Sequence, residues 1–167
     1  MILPMTKSTP IACLQHNHQH CIEDAIAAAR RICSATGARL TPLREHVLTL
    51  IWQSHKPLGA YTLMEMLAEQ STRRVAPPTV YRALDFLLEH RLIHRINSLN
   101  AFLGCPAPDT QHQSYFLICE ECGIAIECDT DLLAPSIQKT AAVCGFQVKT
   151  QSLEIIGLCP RCQGEEQ

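Results

Sequence analysis

The chain has 167 residues, 47% of them hydrophobic, and a formal net charge of −2 at pH 7, which fits one large domain or two small ones. No apolar run approaches the roughly 18 residues of a membrane span, and Pro4 and Pro10 interrupt any signal-peptide core, so a soluble, cytoplasmic protein is expected. Its 10 cysteines cluster with histidines at ligand spacing, which favours metal binding in a reducing compartment over a disulfide framework.

The net charge hides an asymmetry. Residues 1–92 carry 10 Lys/Arg against 7 Asp/Glu, a balance of +3, whereas residues 93–167 carry 4 against 9, a balance of −5. A mildly basic half joined to an acidic, cysteine-rich half suggests two domains with different partners.

Residues 1–22 read as a flexible tail, polar and broken by prolines. It ends in His16-Asn-His18-Gln-His20-Cys21, which fits either a loose metal site or an adventitious cluster. Glu23 to Ala35 has the pattern of an alanine-rich helix with Gly37 placed to end it. Thr41-Pro42 opens a second helix, threonine suiting the N-cap and proline the first helical position. Leu43, Val47, Leu50 and Ile51 form its buried stripe. Lys56-Pro57-Leu58-Gly59 breaks the pattern before a third helix, Ala60 to Glu69, that buries Leu63, Met66 and Leu67.

A fourth helix enters at Pro77-Pro78 and runs to His90, with Val80, Leu84, Leu87 and Leu88 on the inner face. Thr79, Tyr81, Arg82 and Asp85 lie on the opposite face, near the N-terminal end. Leu92–Ile96 and Ala101–Gly104 then alternate as two short strands joined at Asn97–Asn100. Helices followed by a hairpin is the order of a winged helix-turn-helix, in which Arg82 is placed to read guanine in the major groove. A plain helical bundle with solvated arginines fits the same pattern.

Residues 106–111, beginning Pro106-Ala-Pro108-Asp109 just after Cys105, read as a hinge linker between a domain at 23–105 and a second at 112–167. Ser114–Cys119 and Ile124–Cys128 form a β-hairpin, Asp131 to Val143 a helix, and Gln147 to Gly157 a further strand. The fold class is therefore α+β: an N-terminal winged-helix domain and a small C-terminal α+β domain. The second is small enough to gain from a metal staple and a partner subunit.

Cys119-Glu-Glu-Cys122 and Cys159-Pro-Arg-Cys162 are two Cys-x-x-Cys knuckles. Four thiolates in that arrangement suit one closed, structural zinc ion, with no open position for substrate. A redox dithiol is the alternative that a single knuckle would have left open. His94, Cys105, His112 and Glu127 are further N, S, N and O donors spread across the domain junction. Each alone also fits ordinary polar surface, but together they make a plausible Cys/His₂/Glu zinc site, more exchangeable because it has fewer thiolates. Cys13, Cys33, Cys128 and Cys144 are left as ordinary thiols. Nothing pairs a Ser, His and Asp, and no deaminase signature accompanies the knuckles, so no enzyme is expected.

Arg39-Leu-Thr41-Pro-Leu-Arg44, Pro78-Thr79-Val80-Tyr81-Arg82-Ala83-Leu84 and the Cys119/Cys122, Cys159/Cys162 knuckles resemble the ferric uptake regulator superfamily over residues 23 to 163. The single histidine in His112–Cys119, the run Pro77–Leu87 and the placement of Cys105 resemble its zinc-sensing branch. The resemblance implies a homodimeric, zinc-responsive repressor with about two zinc ions per subunit that binds double-stranded operator DNA and needs no membrane or small organic ligand. It also implies that His94, Cys105, His112 and Glu127 are the sensory site, that the knuckles are the structural one, and that Tyr61 and Arg82 face DNA. The rivals are an iron or peroxide sensor of the same superfamily and, in a different class, a thiol-redox or zinc-binding protein without DNA-binding activity.

Overall fold

In the computed structural model, residues 18–70, 75–110, 114–129 and 133–164 are described. The N-terminal half contains α1 (His18–Thr36), α2 (Pro42–Trp52), β1 (Leu58–Gly59), α3 (Ala60–Glu69), α4 (Pro77–Glu89), β2 (Ile93–Ile96) and β3 (Ala101–Gly104). Helix α1 starts at His18, so residues 18–22 are helical where the sequence suggested tail. Cys21 and Ile22 pack on the core at that first turn, and the packing extends the helix past its weak local signal. Gly37, at φ +70°, ends it, and the Ala38 N–H reaches the Cys33 carbonyl at 2.9 Å, the six-to-one bond of a Schellman stop.

Helix α2 is the hub. Its Thr41 cap accepts the Arg44 N–H at 3.4 Å, and Pro42 occupies the first turn. Val47, Leu48, Leu50, Ile51 and Trp52 are all buried, a wider face than a single amphipathic stripe. A helix buried most of the way round is surrounded, and α2 touches α1, α3, α4 and β3. Met66 of α3 is only partly buried, while Leu63 and Leu67 carry that contact. The Arg44 guanidinium lies 3.5 Å from the Phe86 ring centroid, a cation–π clasp between α2 and α4.

The wing is a three-stranded antiparallel sheet in the order β1-β3-β2. The two-residue strand β1 is too short for alternation to reveal it. Gly104 ends β3 against Trp52: a Cβ there would sit 2.2 Å from the indole Cε2, so only glycine fits.

The C-terminal half has β4 (Ser114–Cys119), β5 (Ala125–Asp129), α5 (Ala134–Val143) and β6 (Glu154–Gly157), with sheet order β5-β4-β6. Strand β6 is shorter than the Gln147–Gly157 expected from sequence. It runs parallel to β4, pairing Cys119 with Gly157, and a parallel return needs a crossover, which α5 supplies. Helix α5 buries none of its described residues, and Val143, Phe146 and Ile156 are 83%, 70% and 58% exposed. Val143 at its end, Phe146 just beyond it and Ile156 of β6 are therefore apolar side chains that the described residues leave uncovered.

The two halves share a core in which Ile96 and Leu103 of the wing pack with Phe116, Ile118 and Ala125. Three polar ties reinforce it. The Ala125 N–H donates to the His55 carbonyl at 3.0 Å, and Arg31 pairs with Asp109 at 2.6 Å. The N–H groups of Asn97 and Ser98 in the wing turn donate to the Glu154 carboxylate at 2.7 and 3.0 Å.

Candidate metal centres and nucleic-acid face

The parallel pairing of β4 with β6 carries both Cys-x-x-Cys knuckles to one end of the sheet. Cys119 closes β4, and Cys159 follows β6 by two residues. Each knuckle is a tight turn, with Gly123 N–H to the Cys119 carbonyl at 2.9 Å and Cys162 N–H to the Cys159 carbonyl at 2.9 Å. Gly123 takes φ +73° there, a conformation that favours glycine. Cys119, Cys122, Cys159 and Cys162 bring their four sulfurs within 4.8 Å of one another, with Cys122 Sγ and Cys159 Sγ 3.7 Å apart. A tetrahedron with Zn–S bonds of about 2.3 Å has edges of about 3.8 Å, which the Cys122–Cys159 separation matches, and the remaining sulfurs are near enough to close on the same ion.

The donors are also electrostatically prepared. Backbone N–H groups of Cys122 and Cys159 point at Cys119 and draw its thiol down to about 6, and the Cys159 N–H to Cys119 Sγ distance is 3.3 Å. Cys162 is pushed the other way, to about 12, chiefly by the sulfur of Cys159 beside it. Cys122 is raised too, chiefly by burial, and part of the rise at Cys162 is charge repulsion from Cys119. A dication relieves that mutual repulsion.

A second donor cluster spans the domain junction. His94 of β2, Cys105 just after β3 and Glu127 of β5 place one ligand atom each within 4.8 Å of the others. His94 Nε2 is 3.1 Å from Glu127 Oε2, and the Ser114 hydroxyl donates to Glu127 Oε1. The His94 ring rests on Phe116, with centroids 5.3 Å apart. Burial first, then the Glu127 carboxylate, push the Cys105 thiol up to about 12. A buried thiol, an imidazole and a carboxylate are a donor set that zinc accepts. His112, the fourth residue expected here, lies outside the described residues.

The residues assigned to DNA are all exposed on α3 and α4. Thr79 and Arg82 are exposed in the first turns of α4, Tyr81 is 43% exposed, and Tyr61 at the start of α3 is 76% exposed. Tyr61, Tyr81 and Arg95 border the same surface hollow between α3, α4 and the wing. Exposed aromatic and cationic side chains beside a helix N-terminus suit a phosphate backbone and groove edges.

Sequence reasoning missed three features. Glu154 as the acceptor for the wing turn left no local signal, because its partners lie 56 and 57 residues away. Ser114, the donor to Glu127, reads as an unremarkable strand residue. His55 joins His18 and Cys21 in a third group of donors within 4.8 Å, whereas the sequence pointed only to the run His16-Asn-His18-Gln-His20-Cys21.

A model of the ferric uptake regulator family matches residues 35–156. The zinc uptake regulation protein of Escherichia coli (strain K12) is 36% identical over 141 residues, covering 84% of this chain and 82% of that protein. A zinc uptake regulator solved in complex with zinc and DNA is 34% identical, with a TM-score of 0.77 over 90% of this chain and 97% of its own. Holo XcZur is 42% identical, with a TM-score of 0.73 over 83% and 96%. The apo form of XcZur, aligned at 40% identity over 85% and 97%, scores only 0.51. Identity and coverage hardly differ between those two alignments, and this chain superposes better on the holo form. The chain belongs to the ferric uptake regulator family, on its zinc uptake regulation side.

Proposed function

We propose that the protein is a zinc-responsive transcriptional repressor that binds operator DNA as a zinc-loaded homodimer and controls genes for zinc uptake. The observation that carries this reading is the convergence of His94 and Cys105, from the winged-helix half, with Glu127 from the other half, within 4.8 Å. Bound there, with His112 as a further ligand, zinc supplies a cross-link between the two halves. The Cys119, Cys122, Cys159 and Cys162 set is the permanent structural site, since four sulfurs leave no position open.

In a dimer, the setting of each winged helix on its sheet fixes the separation of the two α4 helices. That separation has to match half-sites along the duplex. Ligands on both sides of the linker bias the chain toward one such setting, and a coupling of about 1–3 kcal/mol is the usual scale for such an effect. The dimer surface is assigned to the uncovered apolar side chains from α5 to β6, among them Val143, Phe146 and Ile156. On this reading Thr79, Tyr81 and Arg82 meet the major groove, Tyr61 meets the adjacent backbone, and the protein acts in the cytoplasm without catalysing a reaction.

The test is operator binding by His94→Ala and Cys105→Ser proteins across a titration of free zinc, using duplexes selected from a random pool by the wild-type protein. Both variants are expected to need at least tenfold more zinc for the same occupancy. An unchanged zinc dependence overturns the assignment. Tighter operator binding with iron than with zinc returns the chain to the iron-sensing rivals, and loss of all sequence-specific DNA binding returns it to a plain zinc-binding protein.

A further inference from the structure

His18 and Cys21 lie three residues apart in the first turn of α1, a spacing that stacks two side chains on one helix face. That face meets His55, in the segment between α2 and β1, and the three residues bring one nitrogen, one sulfur and one nitrogen within 4.8 Å of one another. The His18 and His55 rings are 5.0 Å apart between centroids, tilted by 52°. All three residues are half-buried, open enough for exchange and covered enough to be held. None belongs to the knuckle cluster or to the junction cluster.

We propose that His18, Cys21 and His55 form a third metal site, selective for a borderline dication such as Zn²⁺ over hard cations. Two imidazoles and a thiolate are ligands of that class, whereas Mg²⁺ and Ca²⁺ require oxygen donors. Three protein ligands leave a fourth position for water or an exogenous thiol, so the site is open and weaker than a four-thiolate one. The donor atoms already lie within 4.8 Å of one another, so only short movements of these half-buried side chains separate them from one ion.

The surroundings give the site a consequence beyond storage. The His55 carbonyl accepts the Ala125 N–H at 3.0 Å, and Ala125 stands two residues before Glu127 on β5. Trp52 meets the His55 ring edge-on at 6.5 Å between centroids, and the same indole packs on Gly104 beside Cys105. A metal held by His55 therefore pins α1 to the segment that touches both halves at the junction. The inference concerns metal binding by these three residues and stands whether or not the chain regulates zinc uptake.

The experiment uses the full chain, stripped with a chelator, equilibrated against buffered Zn²⁺ and counted by elemental analysis, with Cys21→Ser and His55→Gln alongside. Each variant is expected to hold one metal equivalent fewer than wild type per chain. The two lie on different elements, so a local misfold in one does not explain a loss in both. In a Cys105→Ser background refilled with Co²⁺ after zinc has loaded the knuckles, thiolate-to-cobalt absorbance should persist and then vanish on adding Cys21→Ser. Equal zinc content in wild type and both variants, or cobalt–thiolate absorbance that survives Cys21→Ser, overturns the proposal.

Discussion

Replacing Gly104 by alanine adds a single methyl group at the end of β3, where the winged helix meets the linker. The added carbon falls 2.2, 2.5 and 2.7 Å from Cε2, Nε1 and Cζ2 of Trp52. Ordinary carbon contacts start near 3.4 Å, so the indole must retreat by about 1 Å or β3 must bend away. Trp52 is only 8% exposed and sits in the main core, so neither movement is free. Overpacking of a well-filled site costs about 1–3 kcal/mol, and a rigid, buried ring on a paired strand belongs at the upper end. For a chain of this size about 3 kcal/mol lowers Tm by roughly 6–12 °C. Trp52 is the single tryptophan, so its fluorescence reports the same event directly. Gly104→Ala is expected to shift emission to the red and to broaden the near-UV circular dichroism of the indole. It should also raise the zinc needed for operator binding, because Cys105 is the next residue. Unchanged Tm together with unchanged Trp52 emission would refute the close packing from which all of this follows.

Two further outcomes follow from the junction and from α4. Burial raises the Glu154 carboxyl, but hydrogen bonds from Ser98 and Asn97 outweigh it and leave the group below its usual 4.5. A depressed folded value means the tie to the wing turn is at full strength above pH 4.5 and is lost as pH falls through the lower folded value. Glu154→Gln should therefore weaken the wild-type protein by about 1 kcal/mol near neutral pH, given the solvent around this contact, and the difference should vanish in acid. Parallel denaturant melts at the two pH values check this, and a difference that grows in acid contradicts it. Arg82→Ala should cost about 1–3 kcal/mol of operator affinity and relax base preference at one position, whereas a uniform loss across all sequences would make Arg82 a phosphate contact instead.

The features legible in the sequence are those whose determinants are local. The Thr41-Pro42 and Pro77-Pro78 starts, the Gly37 stop and the two knuckles are short-range chemistry, and each sits in the structure where its residues said it would. The start of α1 was misplaced by five residues because the turn at His18–Ile22 is held by Cys21 and Ile22 against the core, not by helix propensity. Strand β1 escaped because Leu58–Gly59 exists only as a partner of Ala101 and Phe102. Met66 was assigned to the core of α3 from spacing alone, and the helix rotates it partly outward. At the junction, His94, Cys105 and Glu127 could be named from donor type. Their approach depends on three strands folding together, and Ser114 and Glu154 show how much of that contact had no sequence signature at all.

The parallel return of β6 alongside β4 has a consequence for how the chain is made. Cys159 meets Cys119 across a separation of 40 residues, so the strand that completes the sheet is also the last to be synthesised. Closing a loop of that length with a cross-link removes about 4 kcal/mol of unfolded-state entropy by the chain-entropy relation, a gain comparable to a disulfide but reachable in a reducing compartment. Until the knuckles close, the free edge of β4 is open to strands of other chains. With zinc at the knuckles, growth under chelation is therefore expected to send newly made chain to aggregates while chain already folded stays in solution, and equal soluble yield with and without chelator contradicts this.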